Sequence, residues 1–242
     1  MAAVNRLAVV VPARDEQAHL DHCLRSLHTA ARHVRGVAVS VVVVLDRCVD
    51  RSAEVVAAWP DVTAVRIDAG AVGTARAIGI SRALEGVEDP SSIWLACTDA
   101  DSRVPPHWLA HQLAEAARGA DLYLGLVRPD PEDLPADLHT SWLSNHRAEV
   151  ARAIAATGHH QNVHGANMGF RGDRYLQAGG FPMVAEHEDR RLSELILAVG
   201  GHAVYPTDHP VLTSGRRIGR TPGGFAGFLR QLAERPSVRL PA

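Results

Sequence analysis

The chain has 242 residues, enough for one sizeable α/β domain, and 46% of them are apolar, ample for a buried core. Its 25 Lys and Arg against 27 Asp and Glu give a formal charge of −2. That balance excludes a basic footprint for nucleic acid and a polybasic membrane patch.

Apolar runs and helical patterns then alternate. Leu7–Pro12 reads as a buried strand that stops at Pro12. Asp15 is placed to cap a helix carrying Leu20, Leu24, Leu27 and Ala31 at helical spacing. Val37–Leu45, rich in β-branched residues, predicts a second strand closed by Asp46, and Ser52 caps a helix with Val55, Val56 and Trp59 on one side. Val62–Ile67 predicts a third strand, and Gly70-Ala-Val-Gly73 leads into a helix over about Thr74–Leu84. The run Ser92-Ile-Trp-Leu-Ala-Cys-Thr-Asp-Ala-Asp101 predicts a fourth strand ending in Asp99 and Asp101. In extended chain that i, i+2 spacing projects both carboxylates to one side. There they repel unless a cation or hydrogen-bond donors compensate. A divalent ion carrying substrate phosphates is one compensation. An acidic turn capping the next element is the other reading, and so short a pattern does not separate the two.

Pro105 and Pro106 open a helix with Trp108, Leu109, Leu113 and Ala116 along one face. This alternation predicts βαβ units and a mainly parallel sheet covered on both faces, with ligands beyond the carboxyl ends of the strands. Three strands end there in chemistry-bearing residues: Pro12-Ala-Arg-Asp-Glu16, Asp46-Arg-Cys-Val-Asp50 and Thr98-Asp-Ala-Asp101. Ala120–Val127 predicts another strand, and Arg128–Pro135 a mobile, Pro-rich acidic loop. A helix is expected over about Asp137–Ala156, and a short one closed by Gly179-Gly180. Glu188 and Asp189 open a helix carrying Leu192, Leu195, Ile196 and Val199; acids there also favour the helix dipole, by roughly 0.3–1 kcal/mol each. Val204-Tyr205 and Val211-Leu212 are short strand candidates, and an amphipathic helix spans about Pro222–Glu234. Cys23, Cys48 and Cys97 are scattered in or beside apolar stretches and read as thiols of a reducing compartment. With no apolar run near the roughly 18 residues of a spanning helix, and no signal-peptide layout at Met1–Arg6, the expectation is a soluble, cytoplasmic protein.

Taken together, Val10-Val-Pro-Ala-Arg-Asp-Glu16, Asp46 with Asp50, Gly73-Thr-Ala-Arg76, Thr98-Asp-Ala-Asp101, Gly165-Ala-Asn-Met-Gly-Phe-Arg171, Gly179-Gly-Phe181 and Glu188-Asp189 resemble the family-2 glycosyltransferases of the GT-A fold, over about Leu7–Arg217. The resemblance implies one domain over 1–242, Rossmann-like, with a mixed but mainly parallel central sheet flanked by helices. Its donor-binding half would be about 1–128 and its acceptor half about 129–242. It implies inverting transfer of one sugar from a UDP- or GDP-linked donor to an acceptor hydroxyl. In that likeness Pro12, Ala13, Arg14 and Glu16 frame the nucleotide, and Asp46 accepts a hydrogen bond from the base. Arg76 approaches the donor, the alternative being a solvated helix arginine. Asp101 ligates Mn2+ or Mg2+, and Asp99 faces the ribose or the sugar. Asn167, with Gly165 and Ala166, lies beneath sugar and acceptor. Asp189, beside Glu188, is the general base. Arg216, with Arg217 and Arg220, closes over the diphosphate, unless the three are an ordinary basic surface patch.

Two departures stand out. The family's Asp-Asp-Gly-Ser-Thr-Asp is replaced by Leu45-Asp-Arg-Cys-Val-Asp50, which leaves the base open. Ser214 stands where relatives often carry a metal-binding histidine, and His209 nearby reads as a surface residue or as that missing ligand. His159, His160, His164 and His187 invite a zinc reading, but His-His-x3-His spacing without a further dedicated ligand is a weak pattern, and each reads equally as lining a polar acceptor cleft. The Gln-x-x-Arg-Trp motif of processive synthases is absent, so single-sugar transfer is expected. Expected partners are the nucleotide-diphosphate sugar and an acceptor that could be a small molecule, a lipid or a glycan; a homodimer is left open. The rival readings are a pyrophosphorylase-like nucleotidyltransferase, which would want a Gly-rich first loop, and a non-catalytic nucleotide-sugar-binding domain, which would be expected to lack Asp101 or Asp189.

Overall fold

The computed structural model describes residues 3–184, 186–216, 219 and 225–234. The chain divides into two compact units, Met1–Arg128 with Asn162–Thr213, and Pro129–Gln161 with Ser214–Ala242. It thus leaves the first unit where the donor half was expected to end, then returns to it for fifty residues.

The first unit holds β1 (Arg6–Ala13), α1 (Leu20–Ala31), β2 (Ala38–Asp46), α2 (Ser52–Ala57), β3 (Val62–Ile67), α3 (Val72–Leu84), β4 (Ile93–Cys97), β5 (Ser102–Arg103), α4 (Trp108–Ala117), β6 (Leu122–Leu124) and β7 (Val127–Pro129). In the second unit lies α5 (Ala136–Thr157). The returning chain supplies β8 (Met168–Arg171), α6 (Gly172–Gln177), α7 (Glu188–Ala198), β9 (Ala203–Val204) and β10 (Val211–Thr213), and α8 (Phe225–Glu234) again belongs to the second unit. The main sheet has the order β3-β2-β1-β4-β8-β6-β9. Every neighbouring pair is parallel except those made by β8, which runs against both β4 and β6. A small second sheet is ordered β5-β10-β7.

The central strands are apolar along their length because helices cover both faces of the sheet. Leu7–Val11 of β1 and all of Ile93–Cys97 are buried. Helix α1 turns Leu20, Cys23, Leu24, Leu27 and Ala30 inward at i, i+3 and i+4 spacing. Each such leucine contributes about 1.5–3 kcal/mol by leaving water. The second unit has its own small core of Leu134, Trp142 and Leu229, with Trp142 stacked on His146.

Several local expectations are corrected. Strand β1 runs one residue past Pro12. Val10 offers its carbonyl to Thr98, so Pro12, two residues on, faces the same side beyond the end of β4, and its missing N–H breaks no ladder bond. Asp15 does not cap α1; its Oδ1 accepts from the Val49 and Asp50 amides instead. Ser52 is likewise no cap. Asp50 Oδ1 accepts from the Ser52 amide, and the Ser52 hydroxyl accepts from the Glu16 amide. The loops after β1 and β2 therefore brace each other. Ala120–Val127 is not one strand but β6 and β7, in different sheets. The break falls at Gly125, where any Cβ would overlap the Asn167 side chain and where the amide donates to the Asn167 carbonyl. Arg128–Pro135 is not an irregular loop throughout: it contains the end of β7 and a 3-10 turn at Pro131–Asp133.

Candidate active site

The strand carrying the acidic pair ends at Cys97, and Asp99–Ser102 form a turn closed by the Ser102 amide donating to the Asp99 carbonyl. The strand alternation expected to align Asp99 with Asp101 therefore does not apply. Asp99 Oδ1 receives a hydrogen bond from Arg76 Nη2 at 2.6 Å. Asp101 Oδ1 lies 3.5 Å from the hydroxyls of Ser102 and Thr213.

Arg76 is the centre of the arrangement. It projects from α3, is 3% exposed, and also donates through Nη1 to Glu188 Oε1 at the start of α7. The alternative of a solvated helix arginine is corrected: the guanidinium is buried and holds two carboxylates of the protein itself. Burial opposes its charge, but Asp99 and Glu188 outweigh burial and keep it cationic. Burial pushes the Glu188 carboxyl up from its ordinary value, with Arg76 pulling the other way and Asp189 adding to the rise.

Gly165 shows why this spot needs a glycine. A Cβ there would fall on the Arg76 guanidinium, and the Gly165 amide donates to Asp189 Oδ2 at 2.8 Å. Asp189 Oδ1 accepts from its neighbour, the Arg190 amide. Arg76, Asp99, Glu188, Gly165 and Asp189, drawn from four separate stretches, thus form one connected network.

The other expected residues of the first unit lie at the ends of β1 and β2 or serve the frame. Pro12 and Arg14 are half-buried at the end of β1, Ala13 is buried, and Glu16 is buried with its amide on Ser52. Asp46 is buried at the end of β2, its Oδ1 accepting from the Ala69 and Gly70 amides. Asn167 is buried. Its Oδ1 accepts from Trp108 Nε1 and its Nδ2 donates to the Leu126 carbonyl, so its amide is spent inside the protein. Ser214 donates to Asp133 Oδ2, and the Gly215 amide donates to the same oxygen, both within the second unit. The Arg216 amide donates to the Ser214 hydroxyl. Arg217 and Arg220 lie outside the described residues.

A hard divalent ion suits the donors beside Asp101. They are a carboxylate and two hydroxyls, all oxygen. The nearby thiols offer no soft alternative: burial, with the charges of Asp101 and Asp99, raises Cys23, and burial pushes Cys97 up to about 12. Among the described residues, no group of three clustered donors includes Asp101 or any of His159, His160, His164 and His187. Sequence reasoning missed Arg76 as the hub because its partners are far off, Glu188 being 112 residues away.

A family model described as glycosyl transferase family 2 matches residues 8–174. No curated protein matches. Among solved structures, S. aureus TarS 1–349 in complex with UDP-GlcNAc superposes with a TM-score of 0.68 at 14% identity, covering 91% of this chain and 61% of that one. A mannosyltransferase from Pyrobaculum calidifontis in complex with GDP-Man and Mn2+ gives 0.63 at 21% identity, covering 88% and 58%. The chain therefore spans about three-fifths of the length of these two proteins, and the likeness shows the α/β GT-A fold with its mostly parallel sheet. With the family model covering well over half of its residues, the chain belongs to glycosyl transferase family 2.

Proposed function

We propose that this chain is a metal-dependent, inverting glycosyltransferase that moves one sugar from a UDP- or GDP-linked donor to an acceptor hydroxyl. The observation that supports it is the meeting of the acidic turn after β4 and the acidic start of α7 on one buried arginine. The two structural neighbours named for the fold are complexes with UDP-GlcNAc and with GDP-Man and Mn2+. No helix among the described residues is long and apolar enough to cross a membrane.

In this reading Asp101 holds Mn2+ or Mg2+, which when bound neutralises charge on the leaving diphosphate. Asp99 has one oxygen on Arg76 and presents the other toward ribose or sugar. Asp46 keeps Oδ1 on the Ala69 and Gly70 amides and offers Oδ2 to an N–H of the base. Pro12, Ala13, Arg14 and Glu16 frame the nucleotide. Asp189 takes the proton of the attacking hydroxyl. The amides of Gly165 and Arg190 fix the aim of its carboxylate. Glu188, held by Arg76, sets the position of the helix end that carries it.

Purified chain mixed with UDP- and GDP-sugars and Mn2+ should release nucleoside diphosphate and show a thermal shift with one donor series. Failure of both readouts with every donor sinks the transferase reading and favours a non-catalytic role. Asp189→Asn should cut transfer by roughly 10²–10⁴-fold while donor Kd changes little. Loss of donor binding in that variant refutes the base assignment. Asp101→Ala should abolish the metal dependence of donor binding, measured by calorimetry with and without Mn2+.

A further inference from the structure

One cluster of metal-grade donors shares no residue with the Arg76 network. His111 and Glu115 stand one turn apart on α4, and Asp208 and His209 lie in the segment between β9 and β10. Asp208 Oδ2 is 3.5 Å from His111 Nε2 and 3.6 Å from His209 Nε2. The two imidazoles lie 4.5 Å apart between centroids, tilted by 52°, so they converge rather than stack. One ligand atom from each of the three residues falls within 4.8 Å of the other two.

These separations are too long for good hydrogen bonds. They come close to the edge of a coordination tetrahedron, about 3.3 Å when metal–ligand bonds are about 2.0–2.1 Å. A metal-binding imidazole also needs a polar partner for its second nitrogen. His111 has one: its Nδ1 is 3.3 Å from the hydroxyl of Tyr123 on β6. The lone pairs of that phenol oxygen can accept from an Nδ1–H. His209 is held at φ 55° ahead of Pro210, with its carbonyl 3.5 Å from the buried Asn167 amide. The other donor cluster among the described residues, Asp15 with Cys48 and Asp50, is different: its carboxylates already accept from four backbone amides.

We propose that His111, Asp208 and His209 bind one zinc-class transition-metal ion, with water or Glu115 completing the coordination. Two imidazoles and one carboxylate select Zn2+ or Co2+ over the hard ions that suit the all-oxygen donors at Asp101. The ion clips the β9–β10 segment to α4 and β6. Its role is structural, so it stands or falls independently of the transferase reading.

The test uses tag-free full chain carrying Asp101→Ala, stripped of metal and titrated with Co2+. The expected result is one Co2+ per chain with the intense visible absorption of tetrahedral cobalt, displaced by Zn2+, and a thermal midpoint raised by Zn2+. Asp208→Asn, at a side chain 63% exposed and so harmless to the core, should weaken Co2+ binding at least about tenfold. His209→Asn should abolish the absorption. No visible band, or a band of equal strength and affinity in Asp208→Asn, overturns the proposal.

Discussion

Two sets of carboxylates line the carboxyl end of the main sheet, and they are satisfied in opposite ways. Asp15, Asp46 and Asp50 accept from backbone amides of neighbouring loops. Asp99 and Glu188 face a buried guanidinium. The first set is bonded to neutral donors that an amide side chain could also satisfy. The second set depends on a charge that no isostere replaces. One set fixes loop shape, and the other couples two distant motifs through one buried charge.

The strongest way to break that contrast is to remove the guanidinium. Arg76→Met should cost about 3–5 kcal/mol, because it strands a buried carboxylate. That corresponds to a fall of roughly 6–20 °C in Tm for a chain of this size. Its pH dependence follows from Glu188. A carboxyl whose folded pKa lies above its unfolded value contributes stability at low pH that is lost as pH rises through the folded value. Without Arg76 that rise grows, so the deficit of Arg76→Met against the parent should be larger at pH 7 than at pH 5, measured by denaturant melts. A pH-independent deficit would show that the pair is not what the arginine stabilises.

A smaller effect is expected from the other set. Asp46→Asn keeps an acceptor for the Ala69 and Gly70 amides, so stability should fall by less than about 1 kcal/mol. Donor affinity should drop about tenfold, since the charged acceptor offered to the base is gone. Equal loss of stability in Asp46→Asn and Arg76→Met would erase the distinction between the sets. At the bottom of the scale, Glu54→Gln removes only an exposed helix pair with Arg51 and should change stability by at most about 0.5 kcal/mol.

The parallel strands were legible because a buried strand writes itself as a continuous apolar run, and Leu7–Val11, Val42–Leu45 and Ile93–Cys97 are such runs. The position of chemistry at their ends was legible for the same reason. The partners of that chemistry were not. Asp15 and Ser52 each sit where a helix cap would, yet each bonds a loop more than thirty residues away. The run Ala120–Val127 hides a break that depends on Asn167, and the antiparallel insertion of β8 leaves no mark in local periodicity. Arg76 was singled out by resemblance, but nothing near it in sequence reveals the two carboxylates it holds.

The reversed strand β8 also sets an order of events. β4 pairs with β1 on one side, but its other edge is completed only by Met168–Arg171, made some seventy residues after Cys97. At about 5–20 residues per second of synthesis, that edge stays open for roughly 4–15 s on the ribosome. It is a fully apolar edge, the kind that templates pairing with another chain. The nascent protein is therefore most exposed to aggregation in that interval, and chaperone demand should peak before residue 171 emerges rather than at release.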